Sequence, residues 1–313
     1  MNKFMKTIAL SMAMLCLGAG AAGAAQFSDA QSGKNLTAAQ LASKLQKYDV
    51  VFFGEYHDQS EIHQYELELL EAMYKAKGEK LALSMEMFEA DNQSKLNNFL
   101  AGTLSEENFL ATARPWPNYR TDYAPLVNFA KEKKMPVIAA NVPRFLAAHV
   151  AKNNASTEGV EAQYQQWLPK HTYAPEGAYK DKFYAQMSSP AAPMKMPPQR
   201  LAAVYAAQCL KDDKMAESIA AFADAHQNMQ ILHINGCFHS DEHLGTAQKL
   251  EALRPELKVA VITPLERKQK GEKPAGDGKA IAMMLHFSSL TTARFQLMVT
   301  LLKLAWQNQN FLE

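Results

Sequence analysis

Asp49-Val50-Val51-Phe52-Phe53-Gly54-Glu55-Tyr56-His57 decides the fold of this chain. Its apolar run shows no alternation with polar residues, which is how a strand buried on both faces of a helix-covered parallel sheet reads. Gly54 then lets the backbone turn and lets another group approach closely, and a histidine stands just beyond it. The same pattern returns far downstream, where Gln230-Ile231-Leu232-His233-Ile234-Asn235 runs into Gly236-Cys237-Phe238-His239. Parallel strands converge on one edge at their carboxyl ends, where ligands and catalytic groups gather. Two imidazoles distant in sequence are therefore expected to share one pocket.

Similar apolar runs at 81–85, 136–140 and 259–263 predict further strands, and 281–287 a last one. Between them, residues 37–48 (capped by Thr37), 60–77, 91–113, 123–133 and 202–222 carry apolar residues near helical spacing. The alternation predicts an α/β fold, a mostly parallel β-sheet flanked by helices and connected by βαβ units. Residues 145–214 are too long for a crossover and too aromatic for a linker, so they read as a helical insertion or cap. The main domain is expected over 26–288, with a C-terminal helical extension over 289–313.

With 313 residues, 48% hydrophobic, the chain can bury one large core, and a formal charge of +1 without a dense Lys/Arg stripe argues against nucleic-acid binding. Residues 1–25 read as a cleavable signal peptide: Lys3 and Lys6 precede a short apolar stretch and then the small residues around Ala22-Gly23-Ala24-Ala25. Export to the periplasm is expected. Cys16 follows Leu15 inside the apolar stretch, so lipidation is not expected. The two remaining cysteines, Cys209 and Cys237, form no C-x-x-C pair, and spacing leaves a disulfide open.

At the strand-end edge, Glu55 lies between Gly54 and His57, and Glu86 closes the second run among Met85, Met87 and Phe88. A glutamate in such apolar company needs a partner, because burying its charge alone is costly. His57, His239 and Glu86 match a divalent-metal site with open positions, with Glu55 or Glu86 as a general base in a hydrolase. Arg144 offers the plainer alternative of an internal salt bridge. His63 could face the same opening, and His243 would share a face with His239 if 240–250 is helical.

Gly54-Glu55-Tyr56-His57, Glu86-Met87-Phe88, Trp116-Pro117-Asn118-Tyr119, Asn141-Val142-Pro143-Arg144, Ala207-Gln208 with Asp212 and Met215-Ala216, and Asn235-Gly236-Cys237-Phe238-His239 together form an ordered set. It resembles that of the ChaN-like haem-binding proteins, a family grouped with Tiki-type metalloproteases and erythromycin-esterase-like hydrolases. The resemblance implies an exported haem-binding protein serving iron acquisition, a homodimer enclosing two face-to-face haems, and a tyrosine on each iron. An outer-membrane haem receptor is a candidate partner. Relatives described as lipoproteins differ from this chain in their tether.

Which tyrosine holds iron stays open among Tyr164, Tyr173, Tyr179, Tyr184 and Tyr205, with Tyr179 and Tyr184 preferred for standing beside a Met/Pro-rich loop. Lys182 and His171 are candidates for the propionates, along with Lys170 and Lys180. Met187, Met194 and Met196 suit an apolar pocket for a flat ligand, or a soft metal. Beside haem binding stands the alternative of a metal-dependent hydrolase at the strand-end edge.

Overall fold

The computed structural model describes residues 27–30, 32–189, 195–267 and 280–287, with side chains of 265–267 and 280–287 excepted. The signal segment, Met194 and the C-terminal extension lie outside the described residues.

The chain opens with β1 (Phe27–Asp29) and β2 (Asn35–Leu36), then α1 (Ala38–Leu45), β3 (Val50–Glu55), α2 (Ser60–Lys77) and β4 (Leu81–Glu89). Two short helices, α3 (Gln93–Leu100) and α4 (Glu106–Thr112), precede α5 (Ala124–Glu132) and β5 (Val137–Asn141). Four helices follow: α6 (Arg144–Lys152), α7 (Ala162–Gln165), α8 (Ala178–Met187) and the long α9 (Pro198–Ala225). The chain then returns through β6 (Gln230–Gly236), α10 (Gly245–Leu253), β7 (Val259–Arg267) and β8 (Ala280–Phe287).

All eight strands join one sheet in the order β2-β1-β8-β7-β3-β6-β4-β5. From β7 to β5 every pairing is parallel, making a five-stranded parallel core flanked by helices, while β8 runs antiparallel to β7. The apolar runs at 50–53 and 230–234 pair directly, Val50 with Ile231 through Glu55 with Gly236. That register sets the two histidine-bearing loops side by side.

Strand alternation divides the core. Val51, Phe53, Leu83, Met85 and Met87 pack with α2 and α5 on one face, whereas Val50, Phe52, Ala82 and Ile231 pack with α9 and α10 on the other. A third cluster joins α6 to α9 through Val142, Leu146, Val150 and Leu210, and a fourth joins α8 to α9 through Tyr179, Phe183, Leu201, Tyr205 and Cys209. The fourth is an aromatic cluster among the helices between β5 and β6.

Local chemistry explains where several elements begin and end. Thr37 caps α1 in a reciprocal box with Gln40, as a Thr-x-x-Gln sequence should. The helix expected over 91–113 is instead broken in two: Gly102 adopts φ +76° and Ser105 restarts the backbone as the cap of α4. The helix expected from residue 240 is also broken, since Glu242, His243 and Gly245 all take positive φ before α10 begins. His239 and His243 therefore do not share a helix face. His243 turns to Glu251 at 3.0 Å. β1 and β2 carry no apolar run of their own and owe their strand form to pairing with each other and with β8.

Candidate active site at the strand ends

Glu55 and Glu86 stand on adjacent sides of Gly236 but belong to opposite faces of the sheet. Glu55 continues the Val51–Phe53 face, toward α2 and Tyr123, whose hydroxyl donates to its Oε1 at 2.8 Å. Glu86 lies between Met85 and Met87 on the other face, and its Oε2 accepts the Gly236 amide at 2.8 Å. His57 spans the two. Its Nδ1 contacts Glu55 Oε1, while its Nε2 lies over Gly236 toward Glu86. A Cβ on residue 236 would fall 2.7 Å from that nitrogen, so the crossing exists only because position 236 has no side chain.

His239 reaches Glu86 from the far side, Nε2 to Oε1 at 3.3 Å. Its Nδ1 meets Asp212 Oδ1 at 2.6 Å, and Asp212 in turn accepts from Thr246 at 2.8 Å and from the Tyr179 hydroxyl at 2.6 Å. His57 and His239 thus come to the same strand-end edge, but of the two only His239 contacts Glu86 directly. Sequence reasoning assigned Asp212 no part here. Its place on α9, four residues after Gln208, which also contacts His239 at 3.1 Å, is a helix-face relationship only the fold reveals.

Electrostatics follow from these contacts. Burial pushes the Glu86 carboxyl upward, but His239 beside it outweighs this and holds it well below the usual carboxylate range. Burial likewise opposes the charge on His239, yet Glu86 and Asp212 raise it to about 10. For His57, burial is overcome by Glu55 and then by Glu86, again raising the imidazole. At neutral pH the edge therefore sets an ionised Glu86 against a protonated His239.

Behind Glu55 lies a second group. His63 Nδ1 stands 3.0 Å from Glu55 Oε2 and 3.1 Å from Glu66 Oε2, all three residues being buried. Burial raises Glu55, but hydrogen bonds from His57 and His63 bring it down to about 2, whereas burial and the Glu55 charge push Glu66 well above its ordinary value. Among the described residues, this trio has the ligand-type atoms within 4.8 Å of one another. His57, His239 and Glu86 are not so grouped. Arg144 pairs with Glu89, next to Arg114, and not with Glu86 as the salt-bridge alternative required.

The haem candidates lie among the helices between β5 and β6, with Tyr179 joined to the edge through Asp212. Tyr179 is buried and its hydroxyl is spent on Asp212, with burial first and Asp212 next raising its pKa well above the ordinary value. That setting keeps the phenol neutral and opposes a tyrosinate at Tyr179. Tyr205 is buried too and donates to the Pro175 carbonyl at 2.5 Å. Tyr184 is half-buried, its ring edge-on to Phe183 and Tyr205, and among the described residues its hydroxyl makes no hydrogen bond. Lys182 lies 3.6 Å from both Asp241 and Glu242, and Lys180 pairs with Glu176 at 2.6 Å. His171 is exposed, with its backbone N–H toward Glu217 at 3.4 Å. Cys209 and Cys237 are free thiols, not a disulfide.

Residues 41–250 match the family described as haem-binding uptake, Tiki superfamily, ChaN. The chain belongs to this family. ChaN-type architecture is also what the coordinates resemble: a solved structure of ChaN of Campylobacter jejuni, described as cofacial heme binding, aligns at a TM-score of 0.60 and 17% identity over 84% of this chain and 96% of that one. The RRSP effector domain of a MARTX toxin from Vibrio vulnificus CMCP6 aligns at a TM-score of 0.41 and 13% identity, over 84% of this chain and 42% of that one. A likeness that distant carries no functional implication. No curated protein sequence matches the chain. Haem-binding ChaN ancestry thus agrees with the ordered motifs quoted above, at an identity where the structural likeness speaks for the fold alone.

Proposed function

We propose that this haem-binding family member captures haem on the open face of its helical cap, with Tyr184 as the iron ligand and a second copy of the chain closing over the exposed face. One observation decides between the two preferred tyrosines: Tyr184 is partly exposed with its hydroxyl unspent, whereas Tyr179 is buried and donates internally. Unlike the partly exposed Tyr164 and Tyr173, Tyr184 belongs to the rim of the α8–α9 aromatic cluster. The surroundings suit a flat macrocycle, since Met187, Met196, Val204 and Phe238 rim the same aromatic cluster and remain partly buried. Methionine adapts to such a surface, and Lys180 and Lys182 stand near it for the propionates. A phenolate oxygen is an established axial donor to haem iron. A porphyrin lying on one surface leaves its other face in water, which gives the second copy its role. Residues 1–25 support an exported, periplasmic setting and a part in iron acquisition. Titrating the purified protein with hemin should give a tyrosinate-type spectrum at about one haem per chain and a haem-dependent dimer. A free-hemin spectrum, or one that Tyr184→Phe leaves unchanged, overturns the assignment.

The alternative, hydrolysis at the strand-end edge with Glu55 and Glu86 as acid–base groups and a metal on His57, His239 and Glu86, is favoured by the contact of His239 with Glu86 and by His57 crossing Gly236 on the same edge. Activity against model esters and peptides that His57→Ala and His239→Ala each abolish would establish it, and activity indifferent to both would end it.

A further inference from the structure

The Glu55–His63–Glu66 cluster is unlike the edge above it. It sits between β3 and α2, with relative exposures of 1%, 4% and 0%. His63 and Glu66 are three residues apart and so project from the same side of α2. Two carboxylates and one imidazole this deeply buried demand compensation.

Hydrogen bonding inside the cluster leaves that compensation incomplete. Glu66 Oε1 has no partner, and Glu55 Oε2 has only the His63 imidazole, 3.0 Å away and shared with Glu66, at an angle poor for a hydrogen bond. His63 Nε2 faces the backbone carbonyl of His57 at 3.3 Å. A carbonyl only accepts, so Nε2 carries a hydrogen. The second nitrogen, Nδ1, is the one that points at both carboxylates.

This is the pattern expected of a histidine ligand: the outer N–H held by a backbone carbonyl, the inner nitrogen turned toward two carboxylates, where it now bonds to Glu66 Oε2 at 3.1 Å. Glu55 shows the matching arrangement, its outer Oε1 held by Tyr123 at 2.8 Å and by His57, its inner Oε2 facing the cluster. Distances agree as well. Ligand atoms about 2.1 Å from a common cation are about 3.0–3.4 Å from one another in octahedral or tetrahedral geometry, and Nδ1 lies 3.0 and 3.1 Å from the two carboxylate oxygens.

We propose that Glu55, His63 and Glu66 form a buried binding site for a divalent transition metal of the Zn2+ or Mn2+ class, held through His63 Nδ1, Glu55 Oε2 and Glu66. The site is separate from His57–Glu86–His239 and from the cap. Metal binding would release the protons the cluster holds, the one between His63 Nδ1 and Glu66 Oε2 among them. Because Glu55 also holds His57 Nδ1, a cation on its inner oxygen draws negative charge away from that imidazole. The cation would thus be an ion held beneath the edge and not a reacting centre.

The test uses the full chain, stripped with chelator and titrated with Co2+ and with Zn2+. One equivalent of Co2+ should bind with visible d–d absorption, and Zn2+ should displace it. Glu66→Gln, nearly isosteric and uncharged, should lower affinity at least tenfold while circular dichroism and melting stay close to wild type. His63→Ala should abolish binding. His239→Ala should leave it intact, which distinguishes this site from a metal at the edge. No binding by the wild type, or binding lost with His239→Ala and indifferent to Glu66→Gln, overturns the proposal and leaves the cluster holding protons.

Discussion

His57 crosses the strand end at Gly236, its Nε2 2.7 Å from where a β-carbon would stand on that residue. Through this contact the Glu55 face of the sheet communicates with the Glu86 face. Gly236→Ala should evict the imidazole from its place beside Glu86 without unfolding the protein, because the clashing atoms are the far end of a 40%-exposed side chain. A changed His57 titration by NMR with a nearly unchanged melting temperature is the expected result.

Gly54→Ala should behave differently. There the added carbon meets Cys237 Cα at 2.9 Å and the Ile262 carbonyl at 3.2 Å, both backbone atoms of neighbouring segments. Overpacking against backbone costs about 1–3 kcal/mol. Denaturant unfolding should show the loss, in contrast to Gly236→Ala.

The two preferred cap tyrosines should separate cleanly. Tyr184→Phe should remove the tyrosinate haem spectrum and leave stability nearly unchanged. Tyr179→Phe should retain haem but destabilise by about 1–3 kcal/mol, since it strands a buried carboxylate oxygen of Asp212 that now accepts at 2.6 Å. Hemin titration and denaturant melts on both variants provide the check.

Stability should fall on the alkaline side. His239 has its folded value raised to about 10, so the folded state holds this proton more tightly than the unfolded chain, whose histidine titrates near 6.5. Its contribution is complete below pH about 6.5 and is lost as pH rises toward about 10. Urea midpoints measured across that window should decline for the wild type, and His239→Gln should flatten the decline.

Arg144 should prove irrelevant to the edge. It is half exposed and serves Glu89, so Arg144→Ala should cost about 1 kcal/mol or less and leave the His57 titration where it was. A shift in His57 would instead link Arg144 to Glu86.

Much of the fold can be read from residue order. The runs at 50–53, 81–85 and 230–234 are strands because only a doubly covered sheet can bury every residue of such a run, and α2 spans Ser60–Lys77 as its periodicity demands. Thr37 caps α1 through local chemistry alone. Less legible were β1 and β2, whose strand form comes from distant pairing, and the break at Glu242, where three positive-φ residues override a helical pattern. The role of Asp212 and the inward turn of His63 were hidden because they depend on which helix face meets the sheet.

The sequence by itself determined the α/β architecture, the family and the presence of histidines at two strand ends, because burial patterns and turn residues act over a few positions. Tertiary structure alone decided that Glu55 pairs with Gly236, that His57 passes over a missing side chain toward Glu86, and that Tyr179 is spent internally while Tyr184 is not. Those outcomes depend on register and on the packing of segments far apart in the chain, and no local preference encodes either.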